Sequence, residues 1–131
     1  MLALRYAWAL PATLVGALAG MLALGLGARG RIVAGTAEIG GGRLASLLRV
    51  LPARFRFEAI TLGHVIVGID HRALARHRDH ERVHVRQYER WGLLFFPLYF
   101  GSSLWQLMRG RDPYLDNCFE REAFAVEEEQ A

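Results

Sequence analysis

Apolar and polar positions fall in blocks along this chain, and the blocks change period from one to the next. Residues 7–27, AWALPATLVGALAGMLALGLG, carry no charge over 21 positions. As a helix rising ~1.5 Å per residue they would span the ~30 Å hydrocarbon core of a bilayer. Gly16, Gly20, Gly25 and Gly27 suit a membrane helix better than a soluble one, and Pro11 falls in the first turns, where it costs least. Residues 31–42, RIVAGTAEIGGG, begin like a short strand and end at a triple-glycine turn. In residues 43–51, Leu44, Leu47, Leu48 and Leu51 recur at helical spacing, and Pro52 closes the segment. Residues 55–69, FRFEAITLGHVIVGI, are rich in β-branched residues with partial alternation, and Gly63 predicts a bend within them. Asp70 is a good N-cap, no Gly or Pro occurs from His71 to Trp91, and Gly92 suits the position after a helix. The pattern predicts one long helix, or two nearly continuous ones. Residues 91–108 are again uncharged, 109–117 form a polar turn, and 118–130 read as a final helix with an acidic end.

These elements imply an α+β protein: a membrane anchor over residues 1–28, then a small domain over 29–131 with a short β-sheet. A cleaved signal peptide is the rival reading of the anchor. The apolar run exceeds the usual h-region of roughly 7–15 residues, and the small residues of AGTA lie well past it. Arg5 precedes the run, while Arg29, Arg31 and Arg43 follow it, so the positive-inside rule places the domain in the cytoplasm.

Composition adds little to this picture. All 16 basic residues are Arg and the net charge is only +3. Scattered Arg fits an anionic membrane surface, and nucleic acid is not expected as a partner. The single cysteine, Cys118, excludes an intramolecular disulfide; a lone thiol of this kind is most often a small buried hydrophobe.

The long helix carries the chemistry. His80-Glu81-Arg82-Val83-His84 spell H-E-x-x-H. On a helix His80 and His84 lie one turn apart on one face, where two imidazoles can supply two of three protein ligands to a catalytic Zn²⁺. Glu81, beside the first ligand, can take a proton from a water on the metal as general base. In a chain of this composition the motif arises by chance roughly once in a hundred sequences. Arg78, Arg82, Arg86 and Arg90 form a stripe on the same helix, and such stripes are usually only solvated. A third ligand must come from downstream, where FEREAF offers Glu120 and Glu122.

HERVH followed by EREAFA resembles the gluzincins, zincin-type metallopeptidases whose third ligand is a glutamate, and in particular the ImmA/IrrE-like motif pair. Residues 58–126 also resemble small bacterial membrane proteins with a zincin-like signature. The resemblance implies a zincin-like domain made of a short sheet, the H-E-x-x-H helix, an apolar helical hairpin and a C-terminal helix. It implies Zn²⁺ held by His80, His84 and Glu122, with Glu120 the alternative third ligand, and Glu81 as base. It further implies a peptidase acting on a peptide or protein substrate at the bacterial inner membrane, anchored by a single N-terminal pass. Phe124 stands where the ImmA/IrrE pattern usually has Asn, and Val126 where other gluzincins place a carboxylate. The group orienting the histidines therefore stays open between Asp116 and Glu127. Tyr88 and His77 are open as substrate-polarising groups, with packing or surface roles favoured for both. His64 and His71 fall outside the site.

Residues 91–108 test this reading. A complete membrane crossing there would put His84 and Glu122 in different compartments, so a shared metal forbids it. Pro97, Gly101 and the cluster Ser102, Ser103 and Gln106 agree with a buried or interfacial hairpin, with Trp91, Tyr99 and Trp105 near the headgroups. With only about 100 residues around it, the site is expected to lack a deep cleft. The alternatives are a non-catalytic membrane protein with a structural or degenerate metal site, and an Arg-rich helix that binds anionic lipid or a protein.

Overall fold

The computed structural model describes residues 2–53 and 57–130. The chain is α+β. In order it forms α1 (Leu2–Gly25), β1 (Arg29–Val33), β2 (Thr36–Gly40), α2 (Leu44–Leu48), β3 (Ala59–Leu62), β4 (Val65–Gly68), α3 (His71–Trp91), a 3-10 turn (Gly92–Leu94), α4 (Phe95–Met108) and α5 (Cys118–Gln130). The four strands make one sheet in the order β1-β2-β4-β3. The central pair β2–β4 is parallel and the outer pairs are antiparallel. A parallel pair needs a crossover connection, and α2 lies within it.

Both segments expected to be single strands are hairpins. β1 and β2 are joined by Ala34 and Gly35, at φ 49° and 81°. Two consecutive positive φ values make the tight turn whose twist matches that of the strands. β3 and β4 are joined by Gly63 and His64, with Gly63 at φ 64° in the first loop position. Residues 55 and 56 of the expected β segment lie outside the described residues.

α3 has the expected ends. The Asp70 carboxylate accepts from Ala73 N at 2.7 Å, and Gly92 closes the helix at φ 58°. The Arg78 guanidinium donates to both oxygens of the buried Glu38 carboxylate, at 2.8 and 3.0 Å, which fastens α3 to β2. Arg78 thus leaves the solvated stripe predicted for it.

α1 is long and apolar enough to cross a membrane. Its two faces differ. Ala9, Ala12, Gly16, Gly20 and Ala23 are buried, while Leu10, Leu14, Leu18, Met21 and Leu22 are exposed. The small residues let the helix sit close to its neighbours: Ala23 joins Ala28, Ile39, Val65 and Val67 in one cluster, and Ala9 and Ala12 join Tyr88 and Phe95 in another. Residues before and after position 28 thus share these clusters.

Residues 91–108 do not form a hairpin of their own. A 3-10 turn leads into α4, whose 14 residues bury Phe95 and Gln106 and expose Phe100, Leu104, Trp105 and Met108. The return is made by the polar loop and α5, which packs on α3. Asn117 sets the start of α5. It is fully buried, its Oδ1 accepts from Phe119 N, and its Nδ2 donates to Tyr99 O and Ser103 Oγ.

Candidate metal centre

One turn of α3 presents His80 and His84 side by side, and α5 brings Glu120 against them. All three are buried, at 4%, 7% and 2% exposure. Their ligand atoms lie within 4.8 Å of one another, so the cluster can hold a metal ion. Glu120 Oε1 pairs with His84 Nε2 and lies 3.5 Å from His80 Nε2.

The far nitrogens are also engaged. His84 Nδ1 is 2.8 Å from Gln87 Oε1, and Gln87 Nε2 donates to Phe119 O at 3.1 Å. A backbone carbonyl only accepts, so it orients the Gln87 amide with its oxygen towards His84. That oxygen can only accept in turn, which places the His84 proton on Nδ1 and leaves Nε2 for a ligand bond in the neutral ring. His80 Nδ1 is 3.3 Å from Glu127 Oε2. Phe124 packs edge-on against the His80 ring, with centroids 4.6 Å apart.

The electrostatics follow from burial and from this pairing. Burial opposes charge on both imidazoles, but the Glu120 carboxylate more than offsets it and holds both above the ordinary histidine value. Burial likewise disfavours ionised Glu120, yet its hydrogen bonds to His80 and His84 win and lower it to about 2. The Glu81 carboxyl behaves differently: burial raises it, and the neighbouring His84 and the Thr61 hydroxyl only partly reverse the effect. Thr61, on β3, donates to Glu81 Oε2 at 2.6 Å, and Tyr88 OH donates to Thr61 O at 3.1 Å.

These residues line a cavity of about 720 Å³. The β3 residues form one wall, and Phe95, Phe96, Tyr99 and Phe100 form another. The apolar segment before α5 supplies this second wall, so a chain of this size still lines a sizeable cavity. The hydroxyls of Tyr99 and Tyr114 face Glu120; burial, reinforced by that carboxylate, raises both phenols.

His80, Glu81 and His84 lie where the motif predicts. The carboxylate that joins them is Glu120, the alternative third position, while Glu122 is exposed on the other side of α5. The reason is helical phase. Glu120, Ala123, Phe124 and Glu127 share the inward stripe at i, i+3, i+4 and i+7, and Ala123 is fully buried. Glu122 lies two residues, roughly 200°, around the helix from Glu120. Of the two carboxylates left open as orienting groups, Glu127 reaches His80, while Asp116 accepts from Asp112 N within the polar turn. Of the two groups left open as substrate-polarising, the Tyr88 hydroxyl donates to Thr61 O on β3 and His77 pairs with Glu58. His64 lies elsewhere, against Glu89, and His71 is the first residue of α3. Cys118 is exposed rather than buried, and its sulfur accepts from Ser102 Oγ at 3.3 Å. Gln87, Thr61 and the two tyrosines carry no spacing that marks them in the sequence.

Comparison with known proteins returns no match to a family model, to a curated protein or to a solved structure.

Proposed function

We propose that this protein is a membrane-associated, zinc-dependent hydrolase that cleaves peptide bonds. The observation that carries the reading is the convergence of His80, His84 and Glu120 beside a separately held Glu81, at the wall of a cavity. The donor set fits zinc: two imidazole nitrogens and one carboxylate, with the other nitrogen of each histidine engaged by a neighbouring side chain. When bound, Zn²⁺ supplies Lewis acidity, which polarises a carbonyl and makes water acidic enough to attack near neutral pH.

The remaining work falls to the chain. Glu81 accepts the proton of the attacking water and later delivers it to the leaving amine. Its raised pKa suits a group that must do both. Thr61 holds one carboxylate oxygen, leaving the other for the water. Gln87 and Glu127 fix the histidine rings, and the aromatic wall excludes bulk water. A peptide is favoured as substrate because β3 is an edge strand. Among the described residues it pairs only with β4, and all four of its residues line the cavity. An extended chain can add there through main-chain hydrogen bonds. The resemblance of HERVH and EREAFA to gluzincins supports a peptidase reading; it points to Glu122 as third ligand, and the cluster with His80 and His84 favours its alternative, Glu120.

Membrane association rests on the exposed apolar face of α1. The inner face of that helix is packed on the body along much of its length, so α1 either meets lipid from this seat or leaves it to cross the bilayer singly. In the second case the positive-inside expectation puts the domain in the cytoplasm.

The decisive experiment is Glu81→Gln in purified full-length protein. The variant should keep one zinc per chain by elemental analysis and lose peptide hydrolysis by about 10²–10⁴-fold. Unchanged hydrolysis would remove Glu81 as base. Absence of zinc from the unmodified protein would remove the metal reading altogether.

A further inference from the structure

The other side of α3 borders a second cavity, of about 240 Å³. The geometry points to this cavity as a binding site for a phosphate group, held by Arg5, Arg82 and Arg86. Arg82 and Arg86 lie one turn apart on α3, and Arg5 reaches in from the first turns of α1. Among the described residues none of the three forms an ion pair. Glu89 is the only carboxylate in the lining, and His64 Nε2 holds it at 3.1 Å. His64 is itself fixed: the Tyr6 ring stacks on it at 3.9 Å and 10°, and Thr13 Oγ1 lies 3.4 Å from its Nδ1.

The fold thus places three arginines in the lining of one cavity, and the one carboxylate of that lining is paired with His64. Like charges brought together in this way repel unless an anion joins them. Forked donors from two helices suit an oxyanion that accepts from several directions, and phosphate is such an ion. Leu2 lines the same cavity and continues into the exposed apolar face of α1. A phospholipid could therefore place its headgroup phosphate among the arginines and its chains along the helix. Free phosphate offers the same oxygens. The site does not depend on the metal centre.

The test uses full-length protein in nonionic detergent, titrated with inorganic phosphate by calorimetry. A parallel arm measures flotation with phosphatidylcholine vesicles, with and without phosphatidylglycerol. The variants are Arg5→Gln/Arg82→Gln/Arg86→Gln and a charge-matched control, Arg72→Gln/Arg111→Gln/Arg121→Gln, at exposed positions. The cavity variant should weaken binding at least ~10-fold in whichever arm binds, with the control within about twofold of the unmodified protein. Binding of inorganic phosphate identifies a free-phosphate site, and binding only of phosphatidylglycerol vesicles identifies a headgroup site. Equal losses in both variants would mean that net charge alone acts, and would overturn the proposal. So would absence of binding in both arms. Circular dichroism checks folding; if the triple variant unfolds, Arg5→Gln alone, on the exposed first turns of α1, answers the same question.

Discussion

The two sides of α3 carry the same kind of sequence and build opposite sites. On one side His80 and His84, spaced four apart, meet Glu120 in a cavity of about 720 Å³ walled by aromatic rings. On the other, Arg82 and Arg86, also four apart, line with Arg5 a cavity of about 240 Å³. An offset of two residues moves a side chain roughly 200° around a helix, which is enough to separate the two sets. The histidines are buried and each is fixed at both ring nitrogens. Arg86 is exposed and Arg82 half-buried, and among the described residues neither forms an ion pair. A charged helix is therefore not read by its composition. Its phase against its neighbours decides whether a charge is solvated, paired or gathered into a site.

The metal side can be broken most severely at its third ligand. Glu120→Gln should lower zinc affinity by at least ~100-fold, since it removes a charged ligand between two imidazoles. Glu122→Gln, on the exposed side of α5, should change it by no more than about twofold. Competition with a chromophoric chelator reads both. The reverse ranking would return the third position to Glu122 and would require α5 to bind metal in a different phase. Next in size is the orienting shell. Gln87→Ala removes the acceptor at His84 Nδ1 and its tie to Phe119 O. Loss of such a partner costs about 10–100-fold in metal affinity. An unchanged affinity would mean that α3 alone fixes the ring.

How far this asymmetry was legible depends on the range of the interaction that produces each part. The ends of α3, its histidine pair and the apolar length of α1 are local features, and Asp70, Gly92 and the i, i+4 spacing display them directly. Both hairpins were read as single strands because their turns are only two residues long. Ala34 does not advertise a positive φ, and Gly63 signalled a bend without showing that the chain reversed there. The choice of Glu122 followed a motif, EREAF, in preference to phase. The stripe Glu120, Ala123, Glu127 was available in the sequence and points the other way. Gln87, Thr61 and Asn117 act through partners 20 or 32 positions away, or through a neighbouring helix. Nothing local marks them. The large cavity is not legible because its aromatic wall comes from the apolar segment 91–108, whose pattern suggests a buried or interfacial hairpin and not the side of a site.

α1 separates the two sides in another way, since it lines the arginine cavity and not the metal cavity. Its seat is close at Gly16, where a Cβ would lie 2.4 Å from the Leu62 carbonyl oxygen. Gly16→Val forces α1 away from the β3–β4 hairpin, and overpacking of this kind destabilises by about 1–3 kcal/mol. The checks are the unfolding midpoint followed by circular dichroism in detergent, and phosphate or lipid binding measured below that midpoint. Binding should weaken first, because Arg5 moves with α1. A variant as stable as the unmodified protein would show that the helix is not seated against the sheet in solution.

The smallest effect concerns how the metal side holds its acid. Glu89, in the arginine cavity, is held by one histidine, whereas Glu120 has two histidines and faces two phenols besides. A single hydroxyl contributes only about 0.5–1.5 kcal/mol net, and its neighbour can take over part of its role. Tyr114→Phe should therefore weaken zinc binding no more than about tenfold, and Tyr99→Phe/Tyr114→Phe should weaken it further. The double variant separates two accounts of the aromatic wall. If the hydroxyls position Glu120, removing both costs more than removing either. If the rings act only by excluding water, Phe serves as well as Tyr and the affinity stays where it was.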